Sequence, residues 1–252
     1  MDKFKKYITV EVGEKLKEVV LNNHRVNLSV ERKPDRSLVT EMDYFISQKI
    51  KDYCQSGLEP IYKVAHFYSE EDHGDLNYPA IILDPIDGTF EFVHGIPQCS
   101  LSFSYMETPD VAGAENHAWV FNPYTGFSID HKQVLAGFDY EQKPFLSGFV
   151  SNTEFKNGLY KNEILSPTIS LAPVGSIAFK LALLASGACD FVVSKKPKNI
   201  WDIAAGTILC RKSGIFFYQD FKEVRLLNTQ SYDGLLLWAR PSFLERLKIF
   251  QK

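Results

Sequence analysis

The segment Ala80-Ile-Ile-Leu-Asp-Pro-Ile-Asp-Gly-Thr89 ends an apolar run in two carboxylates, Asp84 and Asp87, followed at once by Gly88 and Thr89. Ile81, Ile82 and Leu83 read as a buried strand. Pro85 biases Asp84 toward extended backbone. Gly88 permits a tight turn at positive φ, and Thr89 stands where it could cap a helix whose first amides are free. Carboxylates beside free helix amides suit a hard divalent cation and a phosphate bound together. The plain alternative is a pair of solvated turn aspartates. The close coupling of strand, Pro, Gly and Thr argues against it.

Two further segments supply matching chemistry. Ser69-Glu70-Glu71-Asp72 follows the apolar, aromatic stretch Val64–Tyr68, and Ile200-Trp201-Asp202-Ile203-Ala204-Ala205-Gly206 opens a helical run. Magnesium takes oxygen ligands, keeps several waters and binds phosphates through a few carboxylates. Glu70, Asp84, Asp87 and Asp202 offer such carboxylates from separate parts of the chain. Together with Lys33-Pro-Asp-Arg-Ser-Leu-Val-Thr-Glu-Met-Asp43, these segments resemble the inositol monophosphatase superfamily of magnesium-dependent, lithium-sensitive phosphatases. That family carries K-x-D-x-S-x-V-T-x-x-D, an E-E pair, D-P-[IL]-D-G-T and W-D-x-A-[AG]-G in this order. The match runs from Lys33 to Gly214.

The resemblance implies an α+β fold, a layered αβαβα sandwich. It implies two Mg²⁺ ions roughly 4 Å apart, held by Glu70, Asp84, the Ile86 carbonyl, Asp87 and Asp202, with room for a weaker third ion at Asp43. By the same analogy Glu70 and the Thr89 hydroxyl orient and help deprotonate the attacking water, and Asp43 supports that hydroxyl. Asp87, Asp202 and the amides of Gly88 and Thr89 are the expected phosphate contacts. Gly175 and Ser176 fill the position that meets a sugar or cyclitol. Glu71 and Asp72 are expected to be solvated or to sit behind the ligands, and Trp201 to be a packing residue.

Substrate identity stays open. Inositol monophosphatases usually carry a glutamate seven residues before the W-D aspartate, and here that position is Lys195, within Ser194-Lys-Lys-Pro-Lys198. A lysine there could meet a second phosphate or a carboxylate; a solvated basic loop is the equal alternative. Phe90-Glu91-Phe92 resembles the branch that cleaves 3′-phosphoadenosine 5′-phosphate, whereas Phe92-Val-His-Gly-Ile-Pro97 resembles the inositol branch. The expectation is a Mg²⁺-dependent phosphomonoester hydrolase resembling inositol-1-monophosphatase, with a 3′(2′),5′-bisphosphate nucleotidase as the alternative. A catalytically silent relic that binds a phosphorylated ligand is a reading of another class, and the intact carboxylate set argues against it. Other phosphatase designs fit less well. The chain has D-x-x-D where a haloacid dehalogenase needs D-x-D, and it has neither a G-x-x-x-x-G-K-[ST] loop nor G-x-G-x-x-G.

The 252 residues and 45% hydrophobic content suffice for a sizeable core, and a net charge of −3 gives no bulk attraction to nucleic acid or an anionic membrane. The N-terminus lacks an apolar h-region, and no apolar run is long enough to span a bilayer. Cys54, Cys99, Cys189 and Cys210 are far apart in mixed or apolar settings, which suits reduced, buried thiols. A cytoplasmic enzyme acting on a small phosphorylated metabolite is the expectation, a homodimer by resemblance, and the sequon Asn27-Leu-Ser29 is then inert. His66, His73, His94 and His117 show no metal spacing.

Positioning these residues requires alternating helices and strands. Phe4, Ile8, Val12, Leu16, Val19 and Val20 have helical spacing. Thr40 reads as an N-cap with Asp43 in the first turn. Strands are expected at 61–68, 80–84, 99–106 and 117–122, with Asn122–Gly126 turning into Phe127–Ile129. A boundary near Tyr140–Pro144 divides the chain into 1–143 and 144–252. Beyond it are expected a strand from Phe149, a helix over 177–186, a strand at 191–193, a helix from Trp201 to Lys212, a strand at 235–238 and a closing helix from Pro241 to Phe250.

Overall fold

The computed structural model describes residues 1–20, 29–33, 38–134 and 143–251. The side chains of Val19 and Val20, the sequon residue Asn27, the motif residues 34–37 and part of the expected boundary segment lie outside the described residues.

In chain order, helix α1 (Asp2–Val20) precedes a hairpin of β1 (Val30–Arg32) and β2 (Leu38–Thr40), and α2 (Glu41–Gln55) follows. Thr40 caps α2 as expected. Its hydroxyl accepts from the Met42 amide while the Asp43 carboxylate reaches back to the Thr40 amide, closing a capping box. The expected strand over 61–68 is divided. Pro60, pre-set for a first helical turn, opens α3 (Pro60–Lys63), and only His66–Ser69 form β3. Then come β4 (Ala80–Asp87), α4 (Thr89–Val93), β5 (Ser100–Met106), β6 (His117–Phe121) and β7 (Ser128–Asp130). The second half adds β8 (Leu146–Ser151), α5 (Asn152–Lys156), β9 (Ile169–Val174), α6 (Ile177–Ala185), β10 (Phe191–Ser194), β11 (Lys198–Asn199) and α7 (Ile200–Lys212). It closes with β12 (Phe216–Gln219), β13 (Lys222–Glu223), β14 (Ser231–Tyr232), β15 (Leu236–Ala239) and α8 (Leu244–Leu247). The expected closing helix is broken into a 3₁₀ turn at Pro241–Phe243, α8 and a 3₁₀ turn at Lys248–Gln251. Phe243, Leu247 and Phe250 are nonetheless buried on one face, so the tighter turns keep the same apolar stripe.

Two sheets organise these elements. One has the order β3-β4-β5-β6-β7, the other β13-β12-β15-β10-β8-β9. Strand alternation sends side chains into distinct layers. On one face of the first sheet Ile81, Leu83, Leu101, Phe103 and Trp119 meet Phe4, Ile8 and Val12 of α1 and Met42, Ile46 and Ile50 of α2. Its other face, with Ala80, Ile82, Ala118 and Val120, packs on α6 and α7, which in turn meet Val192, Phe217 and Trp238 of the second sheet. The far face of that sheet, through Phe191, Val193 and Leu237, carries Phe243, Leu247 and Phe250. The layers run αβαβα.

The middle layer is tightly built. α6 and α7 cross where Gly206 leaves no room for a side chain: a Cβ there would lie 2.5 Å from Leu181 Cβ. Thr207 Oγ1 accepts from the Trp238 indole at 2.9 Å, fastening α7 to the second sheet. Replacing Gly206 with Ala should therefore destabilise, although alanine favours a helix interior by about 1 kcal/mol. Overpacking of this kind costs about 1–3 kcal/mol, so thermal unfolding should show a melting temperature lower by several degrees.

Candidate active site

β4 solves a parity problem. In a regular strand, residues three apart face opposite sides, so Asp84 and Asp87 would diverge. Their partners on β5 are Ser102 and Ser100, only two apart, and the register shifts between Asp84 and Asp87. A bulge thus inserts one residue around Pro85, whose missing amide proton costs nothing in an already broken ladder. Ile86 turns into the core against α1 and α2, and both aspartates face α6 and α7.

Beyond the strand, Gly88 has φ 86°, and a Cβ would meet Gln98 O at 3.1 Å and Ser176 Cβ at 3.2 Å, so glycine is required. The expected capping role of Thr89 is corrected here. Gly88 is the N-cap of α4 and Thr89 its first residue, with Thr89 Oγ1 donating to Ile86 O at 3.0 Å. That carbonyl, an expected metal ligand, keeps a second lone pair.

Asp202 enters from the first turn of α7, where it caps its own helix by accepting from the Asn199 amide at 2.9 Å. Ser102 Oγ donates to Trp201 O at 3.1 Å and fixes that turn against β5. Trp201 packs against Tyr68 and His73. As a result, oxygens of Asp84, Asp87 and Asp202 lie within 4.8 Å of one another. Asp84 Oδ1 is buried with no hydrogen-bond partner among the described residues. A buried, unpartnered carboxylate oxygen beside two more carboxylates is a cation donor set, and hard oxygen donors fit Mg²⁺.

Glu70 approaches from the end of β3 and shares a cation with its neighbour. Lys33 Nζ donates to Glu70 Oε1 and Glu71 Oε1, each at 2.7 Å. The Glu71 side chain is nearly buried in this pairing, so it is not solvated. Burial alone would lower the Lys33 pKa, but the two carboxylates raise it beyond its ordinary value. Asp43 is buried behind β2, with Oδ2 taken by the amide and hydroxyl of Thr40 at 2.7 and 2.6 Å. Among the described residues no direct hydrogen bond joins it to Thr89.

α6 presents its start to the same place. Ser176 Oγ donates to Asp87 Oδ2 at 2.6 Å, as does the Ala178 amide, also at 2.6 Å, and the Gly175 amide donates to Gln98 Oε1 at 2.8 Å. Asp87, Gly88, Gly175, Ser176 and Asp202 are thus gathered as the motifs suggested. Lys195 is not. Its ammonium is committed to Glu163 and to Leu159 O at 2.8 Å and lies over the Tyr160 ring. The cleft itself, about 540 Å³, is lined by the carboxylates and also by Arg32, Leu38, Phe90 and His94. A smaller pocket of about 180 Å³ continues from Asp87 and Asp202 to Lys180 and Lys198. Lys180 carried no sequence signal beyond a polar residue in an apolar helix.

A family model described as the inositol monophosphatase family matches residues 1–232. The chain belongs to that family. It is a phosphoric monoester hydrolase by that membership. A fructose-1,6-bisphosphatase/inositol-1-monophosphatase of Thermotoga maritima is 28% identical over 193 residues, covering 74% of this chain and 73% of its own length. The solved Thermotoga maritima IMPase shares the fold with TM-score 0.74 at 23% identity, over 99% of this chain and 97% of its own. An IMPase/NADP phosphatase solved with Mg²⁺ and phosphate has TM-score 0.72 at 15% identity, over 98% and 94%. No helix among the described residues is long and apolar enough to cross a membrane.

Crowding sets the electrostatics of the site. Burial, then the charges of Glu70, Asp87 and Asp202, holds the Asp84 carboxyl well above the ordinary range. Burial and then Asp87 push Asp202 up to about 8. Burial raises Asp43 to about 7 against the Thr40 hydrogen bonds, and raises Glu70 against Lys33. A carboxyl whose pKa is higher folded than unfolded favours the fold at low pH and loses that advantage as pH rises through the folded value. His117 and His131, both lowered by burial, act oppositely, but only up to the ordinary histidine value of 6.5. Lys180, lowered by burial to about 8, enters only above that. In EDTA the melting temperature should therefore fall between about pH 6.5 and 7.5, and saturating Mg²⁺ should recover it. A rise over that interval without metal would contradict this electrostatic account.

Proposed function

We propose that this chain is a Mg²⁺-dependent hydrolase of a small phosphorylated metabolite, similar to inositol-1-monophosphatase, using two ions with room for a third beside Asp43. The observation that carries this is the orphaned Asp84 Oδ1 set among Asp87 and Asp202 at the floor of the cleft. Glu70, Asp84, Asp87, Asp202 and the Ile86 carbonyl would hold the ions. When bound, they supply Lewis-acid polarisation of the phosphoryl group and lower the pKa of water. Glu70 uses only Oε1 toward Lys33, which leaves Oε2 to orient a water and take its proton. The Thr89 hydroxyl donates to Ile86 O and so keeps its lone pairs for that same water, with Asp43 acting through solvent. The amides at Gly88 and Thr89 would bind phosphate oxygens. Gly175 and Ser176 would border the leaving group.

Residues 1–143 and 144–252 are read as two units meeting at this cleft, the first giving Glu70, Asp84 and Asp87, the second Ser176 and Asp202. The four cysteines are free and buried, which supports a reducing, cytoplasmic setting; the homodimer rests on family resemblance. A second reading, 3′(2′),5′-bisphosphate nucleotidase, is favoured by Phe90. Its ring is exposed on the cleft wall and packs on His94 with centroids 4.2 Å apart, a surface suited to a planar base. Phosphate release with Mg²⁺ across inositol phosphates, nucleotide bisphosphates, fructose bisphosphate and histidinol phosphate tests the proposal and separates the readings. No release from any of them would leave only the ligand-binding relic.

Asp87→Asn should lower turnover at least about a hundredfold while leaving the fold intact. Both hydrogen bonds to Asp87 fall on Oδ2, and an asparagine carbonyl in that place can accept both. Its melting temperature in EDTA should hold or rise, because one of several repelling charges is gone. Near-normal turnover at moderate Mg²⁺ would refute the two-ion arrangement.

Lithium gives an independent check. A small monovalent cation that replaces the later-leaving ion would trap the phosphate-bound enzyme, so millimolar Li⁺ should inhibit without competing with substrate. Purely competitive inhibition, or none, would place this chain outside the lithium-sensitive branches.

A further inference from the structure

The pocket of about 180 Å³ beyond Asp87 and Asp202 is polar, with Ser151, Thr153 and Ser194 on its walls beside Lys180 and Lys198. Lys180 is 3% exposed. Two of its ammonium protons go to Val174 O at 2.9 Å and Ser176 O at 3.0 Å, which leaves the third. Among the described residues, no carboxylate lies within the 4.0 Å of a salt bridge to Lys180 or Lys198. A buried ammonium without a counter-charge is costly, and buried lysines are ordinarily paired. Lys198, on the short strand β11, adds a second cation to the same pocket, half-buried and, among the described residues, with no hydrogen bond to its ammonium.

The acidic residues of this wall do not cancel that charge. Asp87 and Asp202 belong to the cation set, and Glu91 is held by the Asn152 amide at 3.1 Å. We infer that Lys180 and Lys198 form a subsite for a second phosphate on the leaving group, so that the preferred substrate is a small bisphosphate. Its scissile phosphate would meet the Gly88 and Thr89 amides and the ions that Asp84, Asp87 and Asp202 would hold, and its other phosphate reaches the two ammonium groups. This rests on the hydrolase reading of the adjoining site. It also relocates the basic function that the sequence suggested for Lys195, whose charge is spent on Glu163.

The test compares kcat/KM for fructose 1,6-bisphosphate and adenosine 3′,5′-bisphosphate with that for inositol 1-phosphate, in wild type, Lys198→Ala, Lys198→Glu, Lys180→Met and Lys195→Ala. For Lys198→Ala the ratio of bisphosphate to monophosphate kcat/KM should fall about tenfold or more, chiefly through KM, as loss of a charge-assisted contact requires. Lys198→Glu should lower it further, and Lys195→Ala should not change it. Lys198 is half-exposed, so its variants carry the test if Lys180→Met does not fold. Equal losses on both substrate types would make the lysines supports of the Ser176 loop and overturn the subsite. So would a wild type that hydrolyses inositol 1-phosphate and is neither a catalyst for the bisphosphates nor inhibited by them. If wild type releases no phosphate from anything, the hydrolase reading fails. Calorimetric binding of fructose 1,6-bisphosphate with Mg²⁺ then decides the subsite, which stands if Lys198→Ala weakens that binding about tenfold and falls if it does not.

Discussion

Like charges forced together out of water govern this structure. Asp84, Asp87 and Asp202 come within 4.8 Å of one another, with Glu70 and Asp43 close enough to raise their neighbours' pKa values. Left as anions, such a group would push the sheet and α7 apart. The protein tolerates it by proton uptake, by cation uptake, or by both. Lys33 shows the second route within the chain itself, since its ammonium bridges Glu70 and Glu71 at 2.7 Å. A divalent cation taken up by this cluster would therefore balance charge within the fold as well as serve the chemistry.

The scaffold exists to hold that arrangement against its repulsion. The bulge at Pro85 gives Asp84 and Asp87 a common face, and β5 answers with Ser100, Ser102 and Ser104 on the side of α6 and α7. Short hydroxyls let helices approach the sheet closely, and each hydroxyl spends its hydrogen bond on a neighbouring element. α7 brings Asp202 in through its capping box, so the residue that would meet the cation also starts the helix. Capping and ligation ask the same thing of this carboxylate: a fixed orientation at the helix's first turn.

Much of this was legible in the sequence because it is local. Thr40 with Asp43, the strand at 80–84, the strand at 99–106 and the helix over 177–186 all rest on residues a few positions apart. The α+β layering was what the family resemblance implied, and the motifs that carry that resemblance supplied the carboxylates. What escaped was set by tertiary partners. Nothing near Lys195 announces that Glu163 and Tyr160 will claim its ammonium, and nothing near Lys180 announces burial against two carbonyls. Pro60 starts a helical turn that the apolar character of 61–68 does not announce, and the Gly88 turn displaced Thr89 from the cap because only a left-handed residue could clear Gln98 and Ser176.

Ser176 joins the two halves of the site. Its backbone sits at φ 51°, a region that costs a non-glycine residue about 1–3 kcal/mol. Strain of that size persists only where surroundings fix it. Here the hydroxyl donates to Asp87, lies 3.1 Å from Ser100 Oγ and accepts from the Phe179 amide at 3.0 Å, while the carbonyl accepts from Lys180 Nζ at 3.0 Å. One residue is thereby tied at once to a carboxylate of the acidic cluster, to the floor of the sheet and to the buried ammonium of the neighbouring pocket. A leaving group that moved Lys180 would pull on the Ser176 carbonyl, and through the hydroxyl on Asp87. The strained turn thus links Lys180 to Asp87 through one residue and two hydrogen bonds.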